Sequence, residues 1–195
     1  MNTKLTIFCD MDGVLVNFRD AVLELINYSL YNKEIFDPFE KKMTEELTNM
    51  YCGRKITIEN FLKEDSKTPY LSYYMFFLIR NAINLWADLP WNPGGKELWK
   101  YLLLNYRNVC ILSAPADGKA FENCIRGKCQ WITKNLCYPI EKCYFYKKKY
   151  IFSNKKSILI DDRKDNVELF RQKGGFAILH KDAKTTILTL QTFFQ

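Results

Sequence analysis

Four places in this chain hold side chains able to do chemistry. Asp10 and Asp12 follow the apolar run LTIFC at residues 5–9, and Asp161 and Asp162 follow SILI at residues 157–160. Ser113 follows VCIL at residues 109–112, and the lysines Lys147, Lys148 and Lys149 follow KCYFY at residues 142–146. A carboxylate can act as a nucleophile, and one placed close by as an acid or base. One aspartate after a strand commonly starts a turn or caps a helix. Two such pairs on one edge are different, because four carboxylates repel one another unless a cation or raised pKa values relieve them. Oxygen ligands without histidine suit magnesium, and the only histidine, His180, lies elsewhere in the sequence.

The elements needed to bring these groups together are legible in the pattern. Apolar runs at 5–9, 109–112, 142–146, 157–160 and 176–179 predict five strands alternating with helices, which implies an α/β fold built on a parallel sheet. Helices are expected at 96–106, at 117–135 despite Gly127, at 165–173 stopped by Gly174 and Gly175, and at 182–193 capped by Asp182. In such a sheet ligands bind at the carboxyl ends of the strands, so all four features fall on one edge. The stretch between the first two strands is too long for a simple crossover. It predicts a helix at 18–31 capped by Asn17, another at 37–51, and an aromatic, largely helical run at 57–87. The expected organisation is therefore a catalytic core at 1–16 and 89–195, with a helical cap inserted at 17–88.

The chain of 195 residues is 48% hydrophobic and 15% aromatic, which excludes disorder. Its formal charge of +7 favours anionic partners or simply solubility. No stretch approaches the roughly 20 apolar residues of a membrane span, and residues 1–9 lack the apolar region of a secretory signal. Seven cysteines without paired or zinc-type spacing point to free thiols in a reducing, cytoplasmic setting.

DMDGV at 10–14, SAP at 113–115, a lysine before the fourth strand and ILIDD at 158–162 resemble the four motifs of the haloacid dehalogenase superfamily of phosphohydrolases. The segments LPWNPGGKELW, ILSAP, GKCQW and ILIDDRKDNVELFRQKGGFAILH are further similar to the 5′(3′)-deoxyribonucleotidase family and its phage- and virus-type relatives. The resemblance implies a Rossmann-like core with a cap after the first strand. It also implies a magnesium-dependent phosphatase in which Asp10 attacks phosphorus to form an aspartyl-phosphate, while Asp12 protonates the leaving oxygen and later activates water. Magnesium would be held by Asp10, the backbone carbonyl of Asp12, Asp161 and Asp162. Ser113 and nearby amides, including that of Ala114, would bind phosphate.

Lys149 stands in the setting of the family's third motif, with Lys147 and Lys148 beside it. Lys128, in GKCQW, is the second lysine expected to touch phosphate. Phe18 matches a position that stacks on the nucleobase, and it reads equally as a core-facing helix residue. The expected substrate is a nucleoside monophosphate, with no membrane partner; dimerisation is left open. A nucleic-acid 3′-end phosphatase using the lysines at 142–156, and a non-catalytic binding protein on the same fold, are the alternatives.

Overall fold

The computed structural model describes residues 2–32, 38–51, 54–57, 59, 69–82 and 84–194. It divides into two compact units, Met1–Phe18 with Trp86–Gln195, and Arg19–Leu85.

The first unit is a five-stranded, wholly parallel sheet with flanking helices. The strands are β1 (Asn2–Cys9), β2 (Tyr106–Ser113), β3 (Cys143–Phe145), β4 (Ser157–Asp161) and β5 (Phe176–Leu179), in the order β3-β2-β1-β4-β5. Strands covered on both faces read as continuous apolar runs rather than alternating ones. Accordingly every residue of β4 is buried, as are residues 109–113 of β2. Phe8, Cys110, Leu112, Leu159, Val167, Phe170 and Ala177 form one core cluster of this sheet. The order runs outward from β1 through β2 to β3, then returns to β4 on the other side of β1. This reversal is a topological switch point, the place where open α/β sheets bind ligands. It sets the exits of β1 and β4, each bearing an aspartate pair, side by side.

Two strand ends differ from the sequence expectation, and both matter. Ser113 and Asp161 are the last residues of β2 and β4, paired with Phe145 and Leu179, rather than the first residues of loops. Neighbouring strands supply ladder partners that a single run does not reveal, so both side chains sit on rigid backbone. The helices of this unit are numbered after the three described in the second unit: α4 (Gly95–Asn105), α5 (Phe121–Leu136), α6 (Lys164–Gln172) and α7 (Ala183–Phe194). Asp182 caps α7 as expected, its Oδ1 accepting from the Thr185 amide at 2.8 Å.

The second unit contains most of α1 (Phe18–Asn32), with α2 (Pro38–Tyr51) and α3 (Pro69–Asn81). Asn27 fastens α1 to the segment at 54–57, donating to the Ile56 carbonyl at 2.9 Å and accepting from the Ile56 amide at 2.7 Å. The Ser29 and Tyr74 hydroxyls lie 2.7 Å apart. The aromatic run divides: Tyr74 is core, while Tyr73 and Phe76 are exposed. The part of the helical expectation at 60–68 lies outside the described residues. No helix among them is long and apolar enough to cross a membrane.

His180 follows β5, buried, with Nδ1 2.9 Å from the Thr186 hydroxyl and its amide donating to the Asp161 carbonyl at 2.8 Å. Burial holds the imidazole below its ordinary value of 6.5, against a smaller opposing pull from Asp182. As pH falls through 6.5 the unfolded chain takes up the proton first, so the stability owed to neutral His180 is complete above that pH and drains below it. Thermal melts at pH 7 and pH 5 should therefore show a shallower acid loss in His180→Asn than in wild type. The expected difference is roughly 2–4 °C, the shift that about 1 kcal/mol makes in a chain of this size. Parallel losses would contradict it.

Candidate active site

The turn leaving β1 is built to hold two carboxylates. Asp10 is the first residue past the strand, and its Oδ1 accepts from the Met11 amide at 2.8 Å. The Met11 carbonyl in turn accepts from the amides of Val14, Leu15 and Val16, which curls the chain sharply. Gly13 has a φ of 75°, and a Cβ there would stand 2.3 Å from Asp162 Oδ2. Glycine is thus required twice, for the left-handed backbone and for the approach of the second aspartate pair. Asn92 Nδ2 steadies the turn by donating to the Gly13 carbonyl at 2.9 Å.

Asp10, Asp161 and Asp162 each offer one oxygen, and these oxygens lie within 4.8 Å of one another. Lys149 enters this cluster from a single 3-10 turn, Lys149–Phe152. Its Nζ is 2.7 Å from Asp10 Oδ2 and 2.6 Å from Asp161 Oδ2, with the side chain 2% exposed. Of the three adjacent lysines only this one is buried: Lys148 is exposed, and Lys147 pairs with Asp117 at the surface. Asn166 Nδ2 donates to both oxygens of Asp161, at 3.0 and 3.1 Å, and the Arg163 amide donates to Oδ1 at 2.9 Å.

The electrostatics are those of charge packed close together. Burial would lower the Lys149 ammonium, but Asp10 and Asp161 outweigh it and hold it above the ordinary lysine range. Burial and then the Asp10 charge push Asp161 up, with Lys149 opposing. Asp162 is the exposed member of the triad, and partial burial, followed by Asp10 and Asp161, pushes it up to about 6.

A second buried lysine organises the other half of the site. Lys128, on α5, is fully buried, and its Nζ is 2.7 Å from Asp12 Oδ2, 2.8 Å from Ser113 Oγ and 2.8 Å from the Ala114 carbonyl. Burial pushes the Asp12 carboxyl up, and the Lys128 charge opposes it. Helix α5 reaches this depth because residue 127 is glycine, where a Cβ would come 2.4 Å from Trp86 Cβ. One turn on, Trp131 Nε1 donates to the Leu89 carbonyl at 2.8 Å. The Trp86 ring has Lys128 Nζ 5.2 Å from its centroid and Phe18 stacked on it at 4.9 Å and 13°.

The structure thus gathers Asp10, Asp161, Asp162 and Lys149 in one group, and Asp12, Ser113, Ala114 and Lys128 in the next. Phe18 lies with one face of its ring against the Trp86 indole. Sequence reasoning did not single out Asn166, Gly127 or Trp86 for the site. Asn166 carried a signal, five residues past Asp161 at the start of an amphipathic helix; Trp86 was hidden among other aromatics.

No family model matches the sequence, and the comparison with curated proteins found no match. Solved structures do match. A HAD-hydrolase from Bacillus subtilis determined bound to magnesium superposes with a TM-score of 0.55 at 13% identity, covering 90% of this chain and 86% of that one. A haloacid dehalogenase-like family hydrolase from Xanthomonas campestris gives 0.53 at 10% identity, covering 98% and 92%. A hydrolase from Streptococcus pneumoniae gives 0.51 at 11%, covering 98% and 100%. The chain has the fold of the haloacid dehalogenase-like (HAD) hydrolases.

On this HAD-like fold the acidic cluster has the donors a hard divalent cation prefers, all oxygen, with three carboxylates set against the single charge of Lys149. Asp162, pushed up to about 6, must be ionised to serve as a ligand. If the cluster holds magnesium, the affinity is therefore expected to be about tenfold weaker at pH 5 than at pH 7, as one proton competes for that carboxylate. Calorimetric titration at the two values checks this, and equal affinities would contradict it.

Proposed function

We propose that this chain is a magnesium-dependent phosphomonoesterase that removes phosphate from nucleoside monophosphates through an aspartyl-phosphate on Asp10. The observation that carries this reading is the pairing of two clusters at the switch point. One is an acidic triad with Lys149 at its centre, and the other is a single carboxylate, Asp12, held apart by Lys128.

Each group then has a task suited to its surroundings. Lys149 orients Asp10 through Oδ2 and offsets negative charge where a dianion must meet a carboxylate. Asp12 lies outside the triad, and burial pushes its carboxyl up against the opposing Lys128 charge, the direction that suits a general acid. Asp10, Asp161 and Asp162, with the Asp12 backbone carbonyl, are the residues that would hold magnesium, whose charge neutralises the phosphoryl oxygens. Ser113, at the rigid end of β2, stands with Asp12 and Lys128, its Oγ accepting from Lys128 Nζ and its hydroxyl proton left to donate to phosphate. Phosphate monoesters are among the slowest substrates to hydrolyse in water, so the site must combine positioning with charge neutralisation.

In this reading the helical segment at 17–88 is the cap that selects substrate, and Phe18 stacked with Trp86 is an aromatic platform suited to a nucleobase. The 3′-end phosphatase reading is weakened by where its lysines fall. Lys147 and Lys148 follow β3, whereas Lys155 and Lys156 precede β4 at the opposite edge of the sheet, so they make no continuous phosphate track along the site.

Phosphate release from a panel of 5′- and 3′-nucleoside monophosphates and a 3′-phosphorylated oligonucleotide, with magnesium and with chelator, tests the proposal. Chelator-sensitive turnover of mononucleotides is expected. Turnover of the oligonucleotide alone would overturn the nucleotidase assignment in favour of end processing.

A further inference from the structure

An ammonium has three N–H groups to give, and all three of Lys128 end on the protein, at Asp12 Oδ2, Ser113 Oγ and the Ala114 carbonyl. The Trp86 ring lies against the same nitrogen. No donor is left over for a phosphoryl oxygen. Meanwhile the other oxygen of Asp12, Oδ1, is buried and has no hydrogen-bond partner among the described residues. A buried polar atom without a partner is costly and calls for an explanation. The two oxygens of one carboxyl are therefore unlike: Oδ2 is pinned, and Oδ1 is unpaired.

From this juxtaposition we propose that Lys128 is the positioning residue of the general acid, fixing Asp12 by Oδ2 so that Oδ1 is the atom that exchanges a proton with the leaving oxygen. This rests on the phosphomonoesterase reading above. In the first step an Asp10 oxygen forms a bond to phosphorus while the bond from phosphorus to the ester oxygen breaks. Its electron pair stays on that oxygen, which takes the proton from Asp12 Oδ1 and leaves as an alcohol. In the second step water attacks the aspartyl-phosphate, gives a proton back to Oδ1, and releases inorganic phosphate and the Asp10 carboxylate. Neither step asks Lys128 to move or to touch phosphate. The contact of Gly127 with Trp86 and the Trp131 bond to Leu89 hold α5, and hence Lys128, in place.

Leaving-group dependence separates this role from phosphate binding. An alkoxide departs poorly without a proton, whereas p-nitrophenolate departs without one. In Lys128→Met, the rate of leaving-group release in the first turnover should fall about 10²–10³-fold on a nucleoside monophosphate and less than about tenfold on p-nitrophenyl phosphate. Inhibition by inorganic phosphate should stay near wild type. Asp12→Asn should show the same selectivity, and the double variant little further loss. Where circular dichroism shows Lys128→Met unfolded, Lys128→Gln, which keeps an amide donor for Oδ2, should show the same selective loss in smaller measure. Equal losses on both substrates with weakened phosphate inhibition would make Lys128 a phosphate ligand and overturn the inference. Wild-type protein that releases phosphate from neither substrate would overturn the phosphomonoesterase reading itself.

Discussion

Asp10→Asn should lose about 10⁴-fold or more in turnover while keeping its fold. Removing a covalent nucleophile costs on this scale, because the remaining groups of the site have no bond left to assist. The substitution changes one oxygen to an amide nitrogen in a turn whose backbone is held by the Met11 carbonyl and by Asn92, so the architecture should survive. It also removes one oxygen that a cation would use, and that second effect can be told apart from the first. Weakened metal binding is recovered by raising magnesium, whereas a missing nucleophile is not. Activity restored at high magnesium would assign Asp10 to the metal alone, and unaltered activity would remove it from the chemistry. A protein that binds nucleotide equally well before and after the change, with no turnover in either form, would belong to the non-catalytic reading.

The largest effect on stability is expected from Lys149→Met. This ammonium is wedged between Asp10 and Asp161, and all three side chains are almost fully buried. Breaking a buried ion pair from one side costs about 3–5 kcal/mol, because the partner charges stay behind uncompensated. For a chain of this size that corresponds to a fall in melting temperature of about 10 °C. The sign of its pH dependence is set by the same charges. With the cation gone the Asp161 carboxyl rises further above its unfolded value, so the folded protein binds more protons and the deficit should shrink from pH 7.5 towards pH 5. Magnesium, bringing positive charge to the same oxygens, should recover part of the loss. Thermal melts at two pH values, with and without magnesium, check all three statements. An unchanged melting temperature would contradict the account of Lys149 as the charge that holds the triad together.

Much of this arrangement could be read from residue order, for a physical reason. Parallel strands buried on both faces must be continuous apolar runs, and the residues just past the end of each run must lie on one edge of the sheet. That is why Asp10, Asp12, Ser113, Lys149, Asp161 and Asp162 could be assembled without coordinates. Strand ends were less legible: Ser113 and Asp161 belong to the sheet because β3 and β5 pair with them, a fact held by other segments. The division of labour between the two lysines was not legible at all. Lys128 sits in the middle of a helix, where a lysine is ordinarily solvated, and only the close approach permitted by Gly127 turns it inward to Asp12. Phe18 shows the same limit. Its spacing from Asp10 could be read in the chain, but its stacking on Trp86 depends on a residue 68 positions away.

Rapid acid quench during turnover of a radiolabelled phosphate monoester in magnesium, followed by digestion and mass spectrometry, tests the covalent intermediate most directly. The account predicts phosphate on the peptide containing Asp10, released by hydroxylamine as an acyl phosphate should be, and accumulating further in Asp12→Asn on an aryl phosphate, whose leaving group needs no proton while the attacking water still has one to lose. Label on Ser113, or steady turnover with no covalent phosphate in either protein, would contradict it.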